Sequence, residues 1–266
     1  MEFRFKSLYK CIWFLWGIKY FSYIEVMVNK NTLQSFIAKY YINGLNNRVK
    51  WRIKDNKLTV YAGESGWVCR VSLDYFSFED WESGVFDTNK LIKLIAITNG
   101  DLLLSSEKQG ELHTKLNISD ANYELAYALA DTLIMGKTPW YSDPKEGFEI
   151  SLSLGREEVD NLIKAKNALS DVDNMLIQVT KDLDGNLVCE FLFGDNTGFS
   201  NKITYQIQGT ITDEDVRLPF NSDIFKDILN ANKDIDNCSI NISKQGMMKI
   251  AFEGDIDSIY YIARNE

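Results

Sequence analysis

Two kinds of hydrophobic spacing alternate along this 266-residue chain. Apolar residues first recur at steps of three and four positions, at Leu33, Phe36, Ile37 and Tyr40. This spacing is typical of a helix that buries one face, and Asn43-Gly44 then offers a stop. Alternating segments follow, separated by Asp-Asn and Gly-Glu-Ser-Gly turn signals: VKWRI, KLTVYA and WVCRVSLDYFSF. The pattern predicts a helix followed by antiparallel strands.

A second helix and a second group of strands come next. The helix begins near residues 86–88, with either Asp87 or Thr88 as its N-cap, and Leu91, Ile92 and Ile95 share its apolar face. The strand-like segments after it are DLLLSS, ELHTKLNI and NYELAYALA.

The same order returns in the second half of the chain. The segment FDTNKLIKLI at 86–95 parallels FNSDIFKDIL at 220–229, and the hairpin-turn sequence Lys-Gln-Gly occurs at 108–110 and again at 244–246. Long antiparallel runs with two helices per unit indicate an α+β fold of two tandem domains, each an antiparallel sheet with two helices on one face. We place these domains at 28–136 and 148–266, joined by a connector at 137–147.

The first 27 residues form a separate segment. Their apolar run, residues 11–18, is eight residues long and therefore too short to span a bilayer, and no small-residue cleavage site follows it. We expect an N-terminal extension, upstream of a natural start at Met27. Secretion or membrane anchoring is the alternative.

Net charge excludes one broad class of function. The chain carries −9 at neutral pH, which argues against a protein that coats nucleic acid through clustered cations. Residues 1–28 contain four basic and two acidic side chains, so the remainder carries −11.

The predicted helices are nevertheless close to neutral. Their lysines either occupy ordinary solvated faces or make weak, non-specific contact with a phosphate backbone. Lys166 falls nearer the buried side of its helix and is expected to snorkel.

The sequence contains no convincing motif for catalysis or metal binding. The single histidine, His113, lies in an alternating segment and is better explained as a half-exposed strand position than as a catalytic base. Residues 182–186 begin like a calcium loop, but Phe193 occupies the position of the required glutamate, so we interpret them as a hairpin turn. The four cysteines are scattered and there is no phosphate-binding glycine motif. We therefore expect no catalytic residue, no metal and no cofactor, and a reducing cytoplasm as the location.

The order helix, strands, helix, strands, repeated twice and closed by MMKIAFEGDIDSIYYIA at 247–263, resembles the sliding-clamp family of DNA polymerase processivity factors. The resemblance is greater to the clamps of T4-type bacteriophages and more distant to proliferating cell nuclear antigen. It covers about residues 28–266. The most specific part is the final strand, in which two aromatic residues precede an aliphatic residue and alanine.

The resemblance implies a homotrimeric ring around duplex DNA, loaded by a clamp loader, that tethers a DNA polymerase during viral replication in the host cytoplasm. It also implies contact with late-transcription factors. The residues expected to face DNA are Lys39, Lys90, Lys93, Lys164, Lys226 and Lys233. The residues expected to form a pocket for a partner peptide are Pro139, Trp140, Tyr141, Tyr261 and Ala263. Trp140 either anchors such a partner or plugs the seam between the domains. Arg264 departs from relatives of the nuclear-antigen type, which have proline there.

Three other functions remain compatible with the pattern. A monomeric processivity factor would hold DNA by affinity and would show a steep dependence on salt. An enzyme of unrecognised class would need a catalytic constellation that the motifs do not provide. A repeated, β-rich virion component would have no effect on a polymerase.

Overall fold

The computed structural model describes residues 25–194 and 201–265. Most of the predicted N-terminal extension therefore lies outside the described residues. Its last part does not: Val26 and Met27 belong to a strand that pairs with the first domain. Val26 and Val28 turn their side chains into the core, so the chain contributes to the first repeat from Val26 onward.

The first half of the chain contains eight strands and two α-helices among the described residues. In chain order they are β1 (Val26–Asn29), α1 (Lys30–Tyr41), β2 (Val49–Lys54), β3 (Lys57–Glu64), β4 (Trp67–Leu73), β5 (Trp81–Val85), α2 (Thr88–Ala96), β6 (Asp101–Gln109), β7 (Leu112–Ser119) and β8 (Glu124–Ala128). Short 3-10 turns follow α1 at Ile42–Gly44 and β8 at Thr132–Ile134.

The second half repeats this order in the part that the structure describes. Its elements are β9 (Ile150–Leu154), α3 (Arg156–Ala168), β10 (Asn174–Lys181), β11 (Leu187–Gly194), β12 (Lys202–Ile207), β13 (Thr210–Ile211), β14 (Arg217–Asn221), α4 (Ser222–Ala231), β15 (Cys238–Ser243), β16 (Met247–Phe252) and β17 (Ile256–Ala263). The predicted α+β fold with two helices per repeat is therefore confirmed.

All paired strands are antiparallel, and they form three sheets. Two sheets have four strands each, in the orders β1-β6-β7-β8 and β12-β11-β10-β14. The third has nine strands, in the order β13-β9-β15-β16-β17-β4-β3-β2-β5. Strand β17 of the second repeat pairs with β4 of the first, Tyr260 opposite Cys69. One sheet thus continues from one repeat into the other.

The four helices form a single layer against the sheets. Helix α1 packs on α2 and on α4, and α4 packs on α3, so the order across the layer is α2-α1-α4-α3. The apolar face predicted for the first helix is buried, with Phe36 packed edge-on against Tyr40 and Trp51. No helix in the described ranges is long and apolar enough to cross a membrane.

The sequence pattern misplaced several boundaries. The segment predicted as one long strand at 67–78 ends at Leu73, because Tyr75 adopts a positive φ and the chain then folds inward to bury Phe76 and Phe78. Strands β1, β5 and β14 were not predicted, since each is short and adjoins a helix or a turn. The two Lys-Gln-Gly sequences do form hairpin turns, with positive φ at Gly110 and Gly246.

Candidate functional site: the helix layer and the connector seam

Local capping fixes where each helix starts. Asp87, one of the two predicted N-caps, accepts a hydrogen bond from the Lys90 amide at 3.0 Å, and Asn221 caps α4 in the same manner. In α3 the Gly155 amide donates to the Glu158 carboxylate at 3.0 Å. These contacts satisfy amides that the first helical turn leaves without partners, and so hold the lysines downstream in fixed positions.

Four of the six lysines expected to face DNA are exposed on the helix layer or just beyond it. Lys90 and Lys93 lie on α2, Lys164 lies on α3, and Lys233 lies two residues after the end of α4. Lys226 on α4 differs, because only 20% of its side chain is exposed and its ammonium lies 3.3 Å from Asp223 and 3.4 Å from Asp227. Its charge is largely offset within its own helix.

Lys39 corrects the sequence-based prediction. Its side chain is 1% exposed, and its ammonium lies 2.5 Å from the carboxylate of Asp234, three residues after the end of α4. Burial lowers the pKa of Lys39, while the bond to Asp234 opposes this shift. Helical spacing places Lys39 away from the apolar stripe of α1, but α4 of the second repeat packs on that side. Lys39 therefore joins the two repeats and is not part of the exposed surface of the helix layer.

A buried polar network extends from this contact. The Tyr260 hydroxyl on β17 donates to the Lys39 carbonyl at 2.8 Å and accepts from the Asn232 side chain at 2.8 Å. Ser258 in turn donates to Asn232 at 2.7 Å. Burial raises the pKa of Tyr260 far above its ordinary value, so the phenol stays neutral. The network links α1, α4 and β17 across the boundary between the repeats.

Lys166 lies on the buried side of its helix, as predicted, but its side chain is only 1% exposed, so its ammonium does not snorkel to solvent. Its ammonium donates to the carbonyl of Ser170 at 3.0 Å and lies 3.2 Å from Asp223. It therefore joins α3 to α4 inside the second repeat.

On the opposite face of the nine-stranded sheet, the connector covers the line where the two repeats meet. Trp140 packs edge-on against Tyr61 of β3, with ring centroids 5.2 Å apart, and edge-on against Tyr261 of β17 at 5.5 Å. Trp140 is nevertheless 41% exposed to solvent. The two interpretations of Trp140 are thus compatible: its ring covers the seam and still presents apolar surface to solvent. We call Tyr61, Trp140 and Tyr261 the aromatic seam.

Asp143 fastens the connector to the second repeat. Its carboxylate accepts a hydrogen bond from Tyr261 at 2.6 Å and one from Lys249 at 2.7 Å. Burial opposes ionisation of Asp143, but these two bonds outweigh it, so the pKa of the carboxyl lies below its usual value. Burial and the bond to Asp143 raise the pKa of Tyr261.

The remaining predicted pocket residues lie around this seam. The Tyr141 hydroxyl accepts a hydrogen bond from the Gly66 amide at 3.3 Å, and the Ala263 amide donates to the Gly66 carbonyl at 2.7 Å. Pro139 is exposed beside Trp140. The sequence pattern missed Tyr61, Asp143 and Lys249. Tyr61 was recognisable as an aromatic side chain on the outward side of an alternating strand, whereas the pairing that brings it to Trp140 was not.

His113 is more enclosed than the half-exposed strand position that we predicted. Its ring stacks on Trp81 at 4.8 Å, Nδ1 lies 2.9 Å from the Ser106 hydroxyl, and Nε2 lies 3.9 Å from Glu79. Burial and nearby Lys108 lower the pKa of His113. Among residues 25–194 and 201–265, no three His, Cys, Asp or Glu side chains are grouped so as to hold a metal ion.

Two sheet edges lie at opposite ends of the helix layer. Strand β8 is the outer strand of one four-stranded sheet, and its Tyr127 hydroxyl accepts a hydrogen bond from the Asp87 amide at the start of α2. Strand β12 is the outer strand of the other, and its Tyr205 hydroxyl accepts one from Asn161 of α3. Within the described part of the chain neither edge has a partner strand.

These features together define the sliding-clamp fold: two repeats, one continuous sheet between them and a single layer of four helices. Solved structures agree. The proliferating cell nuclear antigen of A. fulgidus, solved with the C-terminal region of FEN-1, superposes on this chain with a TM-score of 0.70 at 15% identity. The match covers 91% of this chain and 98% of that one. Proliferating cellular nuclear antigen from Entamoeba histolytica gives 0.70 at 13% identity, over 92% of this chain and 99% of its own.

A third solved structure is similar as well. A putative DNA polymerase III beta subunit from Eubacterium rectale gives a TM-score of 0.68 at 14% identity, covering 95% of this chain and 68% of that one. No family model matches the sequence, and no curated protein matches it significantly. At these identities the likeness establishes the fold.

Proposed function

We propose that this protein is a sliding clamp: a non-enzymatic ring that encircles duplex DNA and tethers a replicative polymerase. One observation carries the proposal. A single helix layer bears exposed lysines, and its two ends are bordered by unpaired sheet edges, β8 beside α2 and β12 beside α3. Edges at opposite ends of a molecule favour head-to-tail contact, which closes into a ring when the rotation per subunit allows it.

A ring of three copies would be wide enough to enclose a DNA duplex. Twelve helices at 8–10 Å spacing would line a circle roughly 35 Å across from axis to axis. Subtracting one helix diameter of about 10 Å leaves room for a duplex and a layer of water. In this homotrimer β8 of one subunit pairs with β12 of the next, which also removes exposed strand edges.

The charge distribution supports topological rather than tight binding. Lys90, Lys93, Lys164 and Lys233 offer few cations for each subunit, and the rest of the chain is acidic. Affinity for a phosphate backbone rises with the number of neutralised phosphates, so a small number permits sliding. The acidic remainder disfavours binding of DNA to the outside.

We assign the aromatic seam as the site for the peptide of a partner, with Pro139, Tyr141 and Ala263 at its border. Exposed aromatic surface in a connector is typical of binding sites, where aromatic residues often supply most of the free energy. The partners we propose are a DNA polymerase, a clamp loader and, for a bacteriophage clamp, late-transcription factors. Replication in the cytoplasm of a host cell is part of this proposal.

The test is loading of the ring by its cognate loader onto a nicked circular plasmid. Wild-type protein should remain on the circle through gel filtration at high salt and should leave when a restriction enzyme linearises it. The fourfold Glu variant at Lys90, Lys93, Lys164 and Lys233 should trimerise, load poorly and lose most of its stimulation of the polymerase. Its matched control places Glu at four other exposed lysines that lie outside the helix layer and outside the connector: Lys108, Lys115, Lys181 and Lys244.

A stable monomer that binds short linear duplex with a steep salt dependence would contradict the ring and favour the affinity-type processivity factor. Equal loading by the fourfold variant and its control would show that the helix layer does not face DNA.

A further inference from the structure

A group of basic side chains lies on the outer face of the first repeat, the face opposite the helix layer. Lys50, Arg52 and Lys54 point outward from β2, since Trp51 and Ile53 between them are buried. Lys57 on β3 and Arg70 on β4 lie on the same face. We call these five residues the outer basic patch.

The patch is concentrated although the chain as a whole is acidic. Acidic residues also lie at its rim: Asp55 in the β2–β3 turn, Asp80 against that turn, Asp74 beyond β4, Glu82 on β5 opposite Arg52, and Asp257 on β17 beside β4. Asp74 pairs with Lys57 at 2.9 Å. Among the described residues no carboxylate approaches within 4.0 Å of the charged groups of Lys50, Arg52, Lys54 or Arg70. These four cations therefore keep most of their attraction for an added anion.

The patch contains a depression that reaches the aromatic seam. Its volume is about 350 Å³, and it is lined by Arg52, Lys54, Asp55, Lys57, Thr59 and Tyr61. Tyr61 belongs to both features, because its ring also packs against Trp140. An extended chain bound at Trp140 can continue along the sheet into the depression without leaving the surface.

The spacing of the cations fits an extended acidic peptide. Alternate residues of a strand lie about 6.6–7 Å apart on one face, so Lys50, Arg52 and Lys54 match carboxylates at every second position of an extended chain. Duplex DNA threaded through the ring would lie against the helices, on the other side of the sheet. Both points favour a protein partner over nucleic acid.

We propose that the outer basic patch binds an acidic segment of a partner protein, adjacent to the segment that occupies the aromatic seam. The proposal rests on the proposed function and adds to it a specificity-determining surface. A partner that carries apolar anchor residues without an acidic flank would bind more weakly than one that carries both, and the difference would diminish as salt is raised.

The test uses fluorescein-labelled octapeptides and the full-length protein, with binding followed by anisotropy at 50 mM salt. We expect (Glu-Ser)4 to bind and (Lys-Ser)4 not to bind. The isomer Glu4Ser4 has the same charge but lacks alternation, and it should bind several-fold more weakly. The variant Arg52→Gln/Lys54→Gln should weaken (Glu-Ser)4 about tenfold, the order expected for two lost surface ion pairs. The control Lys115→Gln/Lys181→Gln removes two exposed lysines outside the patch and should change binding less than about twofold.

Equal losses in the two double variants would overturn the proposal, as would equal binding of the two glutamate peptides. Binding of a 16-nucleotide oligo-dT with the same dependence on Arg52 and Lys54 would overturn it in favour of nucleic acid. Trp140→Ala separates this proposal from the clamp function. This variant should abolish stimulation of the polymerase and leave (Glu-Ser)4 binding intact. If the wild-type protein stimulates the polymerase normally but does not bind (Glu-Ser)4, only the proposal for the outer basic patch is refuted.

Discussion

Lysines with similar helical positions have different environments in this protein. Lys90 and Lys93 are exposed, whereas Lys39 and Lys166 are buried and paired with Asp234 and Asp223. Burying an ammonium is costly unless a carboxylate or carbonyls replace its hydration. Both buried lysines meet this condition by reaching a second helix, which makes each of them a contact between elements.

The first prediction concerns the network at Tyr260. In Tyr260→Phe the Lys39 carbonyl loses its phenol donor and Asn232 loses one acceptor, so the free energy of unfolding should fall by about 1–3 kcal/mol. Urea unfolding at one fixed protein concentration measures this, because assembly would otherwise contribute to apparent stability. The control Tyr75→Phe removes a hydroxyl from a side chain that is 79% exposed and should leave the midpoint unchanged. A Tyr260→Phe midpoint equal to wild type would contradict the role of the network.

At the scale of elements, the connector is held chiefly by side chains rather than by strand pairing. Trp140 and Tyr141 contact the sheet, and Asp143 binds Tyr261 and Lys249. Between the 3-10 turn at Thr132–Ile134 and β9, the chain forms no strand or helix. Its position on the seam therefore depends on a few polar and aromatic contacts.

The second prediction is that Asp143→Asn loosens the connector. Asparagine retains the shape but loses the charge that attracts Lys249, so trypsin should cut at Lys137 and Lys145 several-fold faster at neutral pH. Asp171→Asn, which changes an exposed carboxylate outside the connector, is the control and should be cut at the wild-type rate.

The same carboxylate sets a pH dependence. Because the folded pKa of Asp143 lies below its usual value of 3.8, its contribution to stability is complete above that pH and is lost as pH falls through the lower folded value. The difference in unfolding free energy between wild type and Asp143→Asn should thus stay constant from about pH 7 to pH 4.5 and shrink below 3.8. A difference that already disappears at pH 5 would show that Asp143 is not held by these bonds.

At the scale of the whole molecule, the two unpaired edges carry complementary charges. Strand β8 begins at Glu124 and β12 begins at Lys202, and both side chains are exposed. In the proposed ring these edges meet at three equivalent interfaces. Opposite net charges on the two edges favour the head-to-tail contact, and like charges oppose it.

The third prediction tests this contact. Lys202→Glu/Thr204→Glu alters two exposed positions on β12 and brings acids to the edge that faces β8, so the association of subunits should weaken about tenfold. Sedimentation over a dilution series would show monomers at concentrations where wild type remains trimeric. Adding Glu124→Lys should restore association in part, and Lys181→Glu should have no effect. A trimer unaffected by the double variant would place the interface elsewhere.

Local pattern was sufficient for much of the architecture. The helices at α1, α3 and α4 and both Lys-Gln-Gly turns follow from side-chain periodicity and from glycine, which act within a few residues. The duplication was also visible, because similar elements recur in the same order. Short strands such as β14 escaped prediction, since five residues beside a helix carry too little periodic signal.

The candidate sites, like the fold, were predictable from the sequence only in part. The sequence by itself determined that Lys90, Lys93 and Lys164 would lie on the polar sides of helices and that Trp140 would stand in a connector. Only the tertiary structure decided that α4 covers Lys39, that β17 pairs with β4 to carry one sheet across both repeats, and that Tyr61 meets Trp140. The physical reason is distance along the chain: periodicity reports which side of an element is buried, whereas the partner that buries it comes from residues far away in sequence.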